Sequence, residues 1–284
     1  FMSQPVGEGA NIEYGRQMTE KFTGDFVRFS GYNRMTDGTV ASTRGDLLEP
    51  YEGTDSCCGM EIDYPLIEKE LMEVDKNGFR YSLHAQGDGA VHKVVELYDK
   101  CRKENGRLIN RHAITDMEFS NPKDLEKMGA LGVTGEIYFQ IMSLDPGDEV
   151  KAAIEKTIGN ERGRYYWNRR KMLDSGVVLS GATDLPLMIT DIPEAIYHGC
   201  GGYFPEGREP FNKENTITIP EMLKAWTRGG AYNLGMEEKL GTLEEGKLAD
   251  IAVLDKNVFE VSMEQMRDVT VAMTMTNGRI TYRK

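Results

Sequence analysis

Residues 81–99, YSLHAQGDGAVHKVVELYD, contain the transition that decides the fold. The β-rich run 79–85 ends on His84 and Ala85, glycines flank Asp88, and residues 89–106 carry apolar side chains three and four apart. A strand that turns at glycine into an amphipathic helix is half of a β–α unit. The same unit recurs on both sides. Strands are expected at 25–31, 79–85, 107–113, 132–139 and 176–182, and helices over 64–78, 89–106, 121–132 and 164–176, most of them ending in glycine. Asn121 and Pro122 supply an N-cap and a first-turn proline, and Asp124 adds negative charge where the helix dipole favours it. Strand and helix in alternation predict a parallel sheet or barrel. After residue 235 the pattern changes to alternating strands, the last two joined by Asn277-Gly278, a two-residue hairpin signal.

Composition narrows the partners. The 284 residues carry 34 basic and 46 acidic side chains, a formal charge of −12, with no basic stripe interleaved with aromatics, so neither nucleic acid nor an anionic membrane is expected as a partner. No apolar run approaches the roughly 18 residues of a spanning helix. The four cysteines form no Cys-x-x-Cys motif and two of them are adjacent, which is neither a zinc knuckle nor a disulfide scaffold. The first residues show no basic segment followed by an apolar one, so a cytoplasmic location is expected. The chain opens on Phe1, as a tag remnant or a piece of something longer would.

Five stretches in order, VRFSGYNRMTDGTVAS with a following Pro-Tyr, LHAQGDGAV, RHAITDMEF, GATDLP and LGTLEEGKLADIAVLD with VAMTMTNGRITY, resemble the amidohydrolase superfamily, most closely its amidohydrolase family 3 branch, which includes N-substituted formamide deformylase-like proteins. The resemblance implies an α/β fold: the C-terminal part of a (β/α)8 TIM-like metal-dependent hydrolase barrel, about strands four to eight, over 1–235, and the C-terminal strands of a small β-sandwich over 236–284. It implies a divalent metal at the C-terminal ends of the strands, zinc with iron as the alternative, and one ion rather than two. The missing N-terminal half of the barrel is then expected from the same gene product or another chain. A small-molecule substrate and compatibility with a homo-oligomer complete the expected partners.

Residue by residue, the resemblance sets His84 on the strand-five metal histidine and Asp184 on the strand-eight aspartate that binds metal and takes a proton from the attacking water. Thr183 stands beside Asp184 where the family often has Ser. Two departures change the set. Arg28 falls where a carboxylated lysine would end strand four, and a guanidinium cannot bridge two metals. Asp116 replaces the strand-six histidine; it can ligate metal but lacks imidazole chemistry. An Arg28–Asp116 ion pair is expected to fill the space of the lost second metal. His112 is expected in the barrel wall or against a carboxylate. Asp88 is expected to cap the helix that follows it. His92 reads as a partly exposed helical residue, and His198 as part of a loop roofing the pocket and touching substrate. The function implied is hydrolysis of a carbon–nitrogen bond in an amide, formamide or cyclic amide by a metal-activated water. The alternative is a catalytically degenerate or partner-dependent homologue acting as a scaffold or binding protein.

Overall fold

The computed structural model describes residues 2–5, 9–108, 110–184, 191–207 and 209–284. Its strands are β1 (Met2–Pro5), β2 (Phe29–Met35), β3 (Arg80–Ala85), β4 (Ala113–Asp116), β5 (Thr134–Ile137), β6 (Leu179–Gly181), β7 (Ile251–Leu254), β8 (Val271–Thr276) and β9 (Arg279–Arg283). Its α-helices are α1 (Ile12–Lys21), α2 (Tyr64–Lys76), α3 (Asp88–Asn105), α4 (Pro122–Leu131), α5 (Gly147–Gly163), α6 (Arg169–Asp174), α7 (Ile192–Gly201), α8 (Ile219–Lys224), α9 (Gly230–Asn233) and α10 (Met263–Met266). No helix among the described residues is long and apolar enough to cross a membrane. Two compact units are present: Phe1–Glu136 with Ala152–Val178, and Ile137–Lys151 with Leu179–Lys284.

In the first unit, strands β1 to β5 pair in chain order and every pair is parallel. The α/β class and the parallel sheet expected from the alternation are present. Helix α3 shows why the fold forms: Val91, Val94, Val95 and Tyr98 lie on one face and are fully buried, as are Leu83 and Ile114 on the strands. Each such side chain contributes about 1.5–3 kcal/mol by leaving water. Tyr98 also donates its hydroxyl to the carbonyls of Tyr81 (3.0 Å) and Ala113 (2.9 Å), tying the helix to two strands. Alternation along β3 sends Tyr81 towards α2, where its hydroxyl meets Glu70 at 2.5 Å. Arg80, Ser82 and His84 therefore share the other face. There Glu136 accepts from Arg80 (2.6 Å) and Ser82 (2.9 Å).

Two strands lie away from their expected positions. β2 begins at Phe29 rather than Asp25 because Gly31, expected to end the strand, is inside it, with φ 149°. A Cβ at Gly31 would stand 1.9 Å from Arg80 O, so only glycine lets β2 and β3 approach there. β4 begins only at Ala113, the last residue of the expected 107–113 run, because the residues before it are held by side chains: Asn110 donates to Gly78 O at 2.8 Å, and His112 reaches Asp75.

In the second unit, Ala182 N–H extends β6 by donating to Ile137 O at 3.1 Å. Strands β7, β8 and β9 form an antiparallel sheet. The β8–β9 turn has Asn277 and Gly278 at φ 47° and 77°, the paired positive angles that the Asn-Gly signal implied.

Candidate active site

In open α/β sheets, ligands bind beyond the carboxyl ends of the strands. In the first unit, register places Met35 beside His84, His84 beside Thr115, and Ala85 beside Asp116. Hydrogen bonding continues past the strand ends, from Thr36 N–H to His84 O (3.1 Å), Met117 N–H to Ala85 O (3.1 Å) and Phe119 N–H to Gln86 O (3.0 Å). Asp37, His84, Asp116 and Glu118 are thereby gathered at one end.

Asp37 is the anchor. Its buried carboxylate accepts the backbone N–H groups of Gln86, Gly87 and Asp46, each at 2.9 Å, and so joins the exits of β2 and β3 to the start of α3. The chain packs tightly here: a Cβ at Gly87 would lie 2.2 Å from Asp46 O. Gly87, not Asp88, is the N-cap of α3, without a side-chain cap bond, and Asp88 is its first residue; Ala90 N–H in the first turn donates to Asp46 O at 3.0 Å. Asp88 instead accepts Leu48 N–H at 3.0 Å and pins the loop across the turn. Burial raises its carboxyl to about 6, against the lowering by the Leu48 and Gly89 N–H groups.

His84 lies between two carboxylates. Its Nε2 is 2.9 Å from Asp116 Oδ2, and its Nδ1 is 3.5 Å from Asp37 Oδ1, close enough for an ion pair but without a hydrogen bond. Burial alone would push the imidazole down, but the Asp116 hydrogen bond and the two neighbouring carboxylates outweigh it and hold the group up at about 9. Asp116 reaches Nε2 because it and Met117 adopt φ 74° and 50°, two consecutive left-handed residues that turn the chain off β4. Such conformations cost on the order of 1 kcal/mol each and concentrate at functional sites.

Glu118, two residues on, was not singled out by sequence reasoning. Its Oε2 accepts the Tyr166 hydroxyl at 2.9 Å, and its carbonyl accepts Trp167 N–H at 2.6 Å, with Trp167 also left-handed at φ 49°. Burial raises the Glu118 carboxyl to about 7; the Tyr166 hydrogen bond works against this and the Asp116 charge adds to it. Thr36 Oγ1, Gln86 Oε1 and Ser120 Oγ, on these same strand-exit segments, are buried without a protein hydrogen-bond partner. A short acidic residue before glycine at a strand exit, Thr36-Asp37-Gly38, was the one available signal for Asp37; nothing local marks Glu118.

The remaining expected residues lie elsewhere. Arg28 precedes β2, bridged to Thr23, about 23 Å of strand before Met35 at ~3.3 Å per residue. It sits at the N-terminal end of the sheet, and the expected Arg28–Asp116 pair is replaced by His84–Asp116. His112 belongs to that end too. Its Nδ1 accepts Tyr81 N–H at 3.0 Å, so the Nε2–H tautomer donates to Asp75 at 2.8 Å, and the ring stacks on Tyr98. The ring is thus held against the Asp75 carboxylate, away from His84 and Asp116. His92, 41 % exposed on α3, meets Asp124 at 2.8 Å. In the second unit, Asp184 is an exposed turn residue with φ 51° and Thr183 is half-buried before it; residues 185–190, including the Leu-Pro of the quoted motif, lie outside the described residues. His198 is not in a roofing loop. It lies on α7, fully buried, with Nδ1 donating to Tyr203 O at 2.7 Å.

The residues of this sheet end do not fit a bound divalent cation. Asp37 is committed to three N–H groups, Asp116 to His84 and Glu118 to Tyr166, and no group of three or more His, Cys, Asp or Glu among the described residues is arranged to hold a metal.

The amidohydrolase family model matches residues 10–282. Over 276 residues the chain is 23% identical to YtcJ of Bacillus subtilis (strain 168), itself named only provisionally as an amidohydrolase, covering 94% of this chain and 50% of YtcJ. It is 23% identical over 233 residues to N-substituted formamide deformylase of Arthrobacter pascens, covering 75% of this chain and 38% of that enzyme. The crystal structure of an uncharacterized metal-dependent hydrolase from Pyrococcus furiosus matches with a TM-score of 0.67 at 21% identity, over 83% of this chain and 47% of that one, a likeness of fold. The chain thus spans half or less of the length of these proteins. Because the match runs through nearly the whole sequence, the chain belongs to the amidohydrolase family.

Proposed function

We propose that the chain is part of a hydrolase acting on carbon–nitrogen bonds other than peptide bonds, in an amide, formamide or cyclic amide, with the C-terminal end of its parallel sheet as the reacting end. The observation that carries this reading is the convergence of Asp37, His84, Asp116 and Glu118 at that end, in a chain of this family. The names of the relatives support the bond class: one is a formamide deformylase. In this reading the five strands are consecutive members of a (β/α)8 barrel, the β7–β9 sheet is part of a small β-sandwich, and the small-molecule substrate meets a barrel completed by the same or another chain.

Cleaving such a bond takes a proton from water and gives one to the leaving nitrogen. Glu118, held near 7, suits the first task, and His84, held by Asp116, suits the second. Asp184, three residues past β6, is the further carboxylate that the resemblance assigns to proton transfer. Metal dependence is the part of the resemblance that these residues do not supply.

The test is amine release from N-substituted formamides and cyclic amides by the full-length protein, with Glu118→Gln, His84→Asn and Asp184→Asn. Hydrolysis that falls about 100-fold or more in folded Glu118→Gln, the lower end of the range for acid–base catalysts or beyond, supports the reading. Full activity in that variant overturns the role of Glu118. The second reading, a homologue that binds without turnover, is favoured by the commitment of all four groups to protein partners, and a ligand bound but never hydrolysed would support it.

A further inference from the structure

We propose that Asp116 closes His84 to metal coordination, so that any cation carried by the whole protein is held without this histidine. An imidazole ligates a metal only through an unprotonated nitrogen. A carboxylate can only accept, so the 2.9 Å contact between His84 Nε2 and Asp116 Oδ2 requires a hydrogen on Nε2 and leaves that nitrogen without a lone pair. Nδ1 faces Asp37 Oδ1 at 3.5 Å, and Asp37 already accepts three buried backbone N–H groups. No third His, Cys, Asp or Glu joins His84 and Asp37 in a metal-binding group among the described residues.

The left-handed backbone at Asp116 and Met117 fixes this contact. An aspartate in the ordinary extended conformation of β4 would alternate onto the face that Ile114 shares, away from His84. The two positive φ angles turn the carboxylate back to Nε2, and Met117 N–H then bonds Ala85 O to hold the turn in place. The contact is therefore built into the chain path rather than reached by a swinging side chain. Where the family resemblance puts a second imidazole and a cation, this chain puts a carboxylate and a proton.

The experiment uses the full-length protein with 15N-labelled histidine, stripped of metal and then titrated with Zn2+. Long-range 1H–15N correlations report each ring nitrogen, and bound zinc is counted by mass spectrometry. The expected result is that His84 Nε2 keeps its hydrogen throughout, and that His84→Ala changes zinc affinity less than threefold. Loss of the Nε2 hydrogen on zinc addition, or an affinity drop of thirtyfold or more in His84→Ala, overturns the proposal. The wild-type spectra decide the matter even where the variant does not fold. Failure of the hydrolase reading, seen as no amine release, leaves these spectra unchanged, so the two claims fail separately.

Discussion

Two His–Asp pairs stand at opposite ends of the same parallel strands. At the N-terminal end, His112 and Asp75 meet at 2.8 Å with both side chains 0 % exposed. Every ring nitrogen there has a task, since Nδ1 accepts Tyr81 N–H and Nε2 donates to Asp75. At the C-terminal end, His84 and Asp116 meet at 2.9 Å with side chains 12 % and 9 % exposed, Nδ1 makes no hydrogen bond, and the aspartate is left-handed. The same two residue types, at nearly the same distance, are in one place a fully satisfied fastening and in the other a strained, under-bonded contact near the surface. What separates them is what faces Nδ1: a backbone donor in the first case and a second carboxylate in the other.

Substitutions sharpen that contrast. The largest effect is expected at the closed end. His112→Ala strips partners from Tyr81 N–H and the dry Asp75 carboxylate, and should cost about 3–5 kcal/mol in urea unfolding. The same truncation at His84 should cost about 1.5–3 kcal/mol, the order of one net charged hydrogen bond; equal losses would erase the distinction. Next comes Asp88, which holds the loop over the open end. Because its folded pKa is raised to about 6, its contribution is complete below the unfolded value near 3.9 and is lost as pH rises through about 6. Wild type should therefore lose about 2–3 kcal/mol between pH 4 and 7 relative to Asp88→Asn, whose curve stays flatter. Gly87→Ala, with its Cβ 2.2 Å from Asp46 O, should cost about 2 kcal/mol by overpacking. It should also shift the NMR signals of His84 and leave those of His112 in place. The smallest effect, about 1 kcal/mol, is expected from Tyr166→Phe, which removes one hydrogen bond from Glu118 and is read by thermal melting.

Periodicity made the strand–helix unit around α3 readable, because burial of Val91, Val94, Val95 and Tyr98 repeats the helical spacing in the sequence itself. Gly31 misled for a physical reason: a glycine that admits a neighbouring strand looks, in one dimension, like a glycine that ends one. His198 was read into a loop, although Asp191 and Pro193 start α7 as a capped helix. His84 was readable from its place at the end of a strand. Asp37 and Glu118 were not, because their partners lie 9 to 50 residues away in the chain and only folding brings them together. Asp116 was noticed as a substitution, but its partner depended on the β3–β4 register and on the left-handed turn at Asp116 and Met117.

The two histidines differ in which ring nitrogens carry hydrogen. The direct measurement is a long-range 1H–15N spectrum of the metal-free full-length protein, resolving its four histidines. The predicted result is His112 with a bare Nδ1 and a protonated Nε2, and His84 with hydrogen on both nitrogens, as a group held up at about 9 requires. A His84 ring with an unprotonated Nε2 at pH 7 would contradict it.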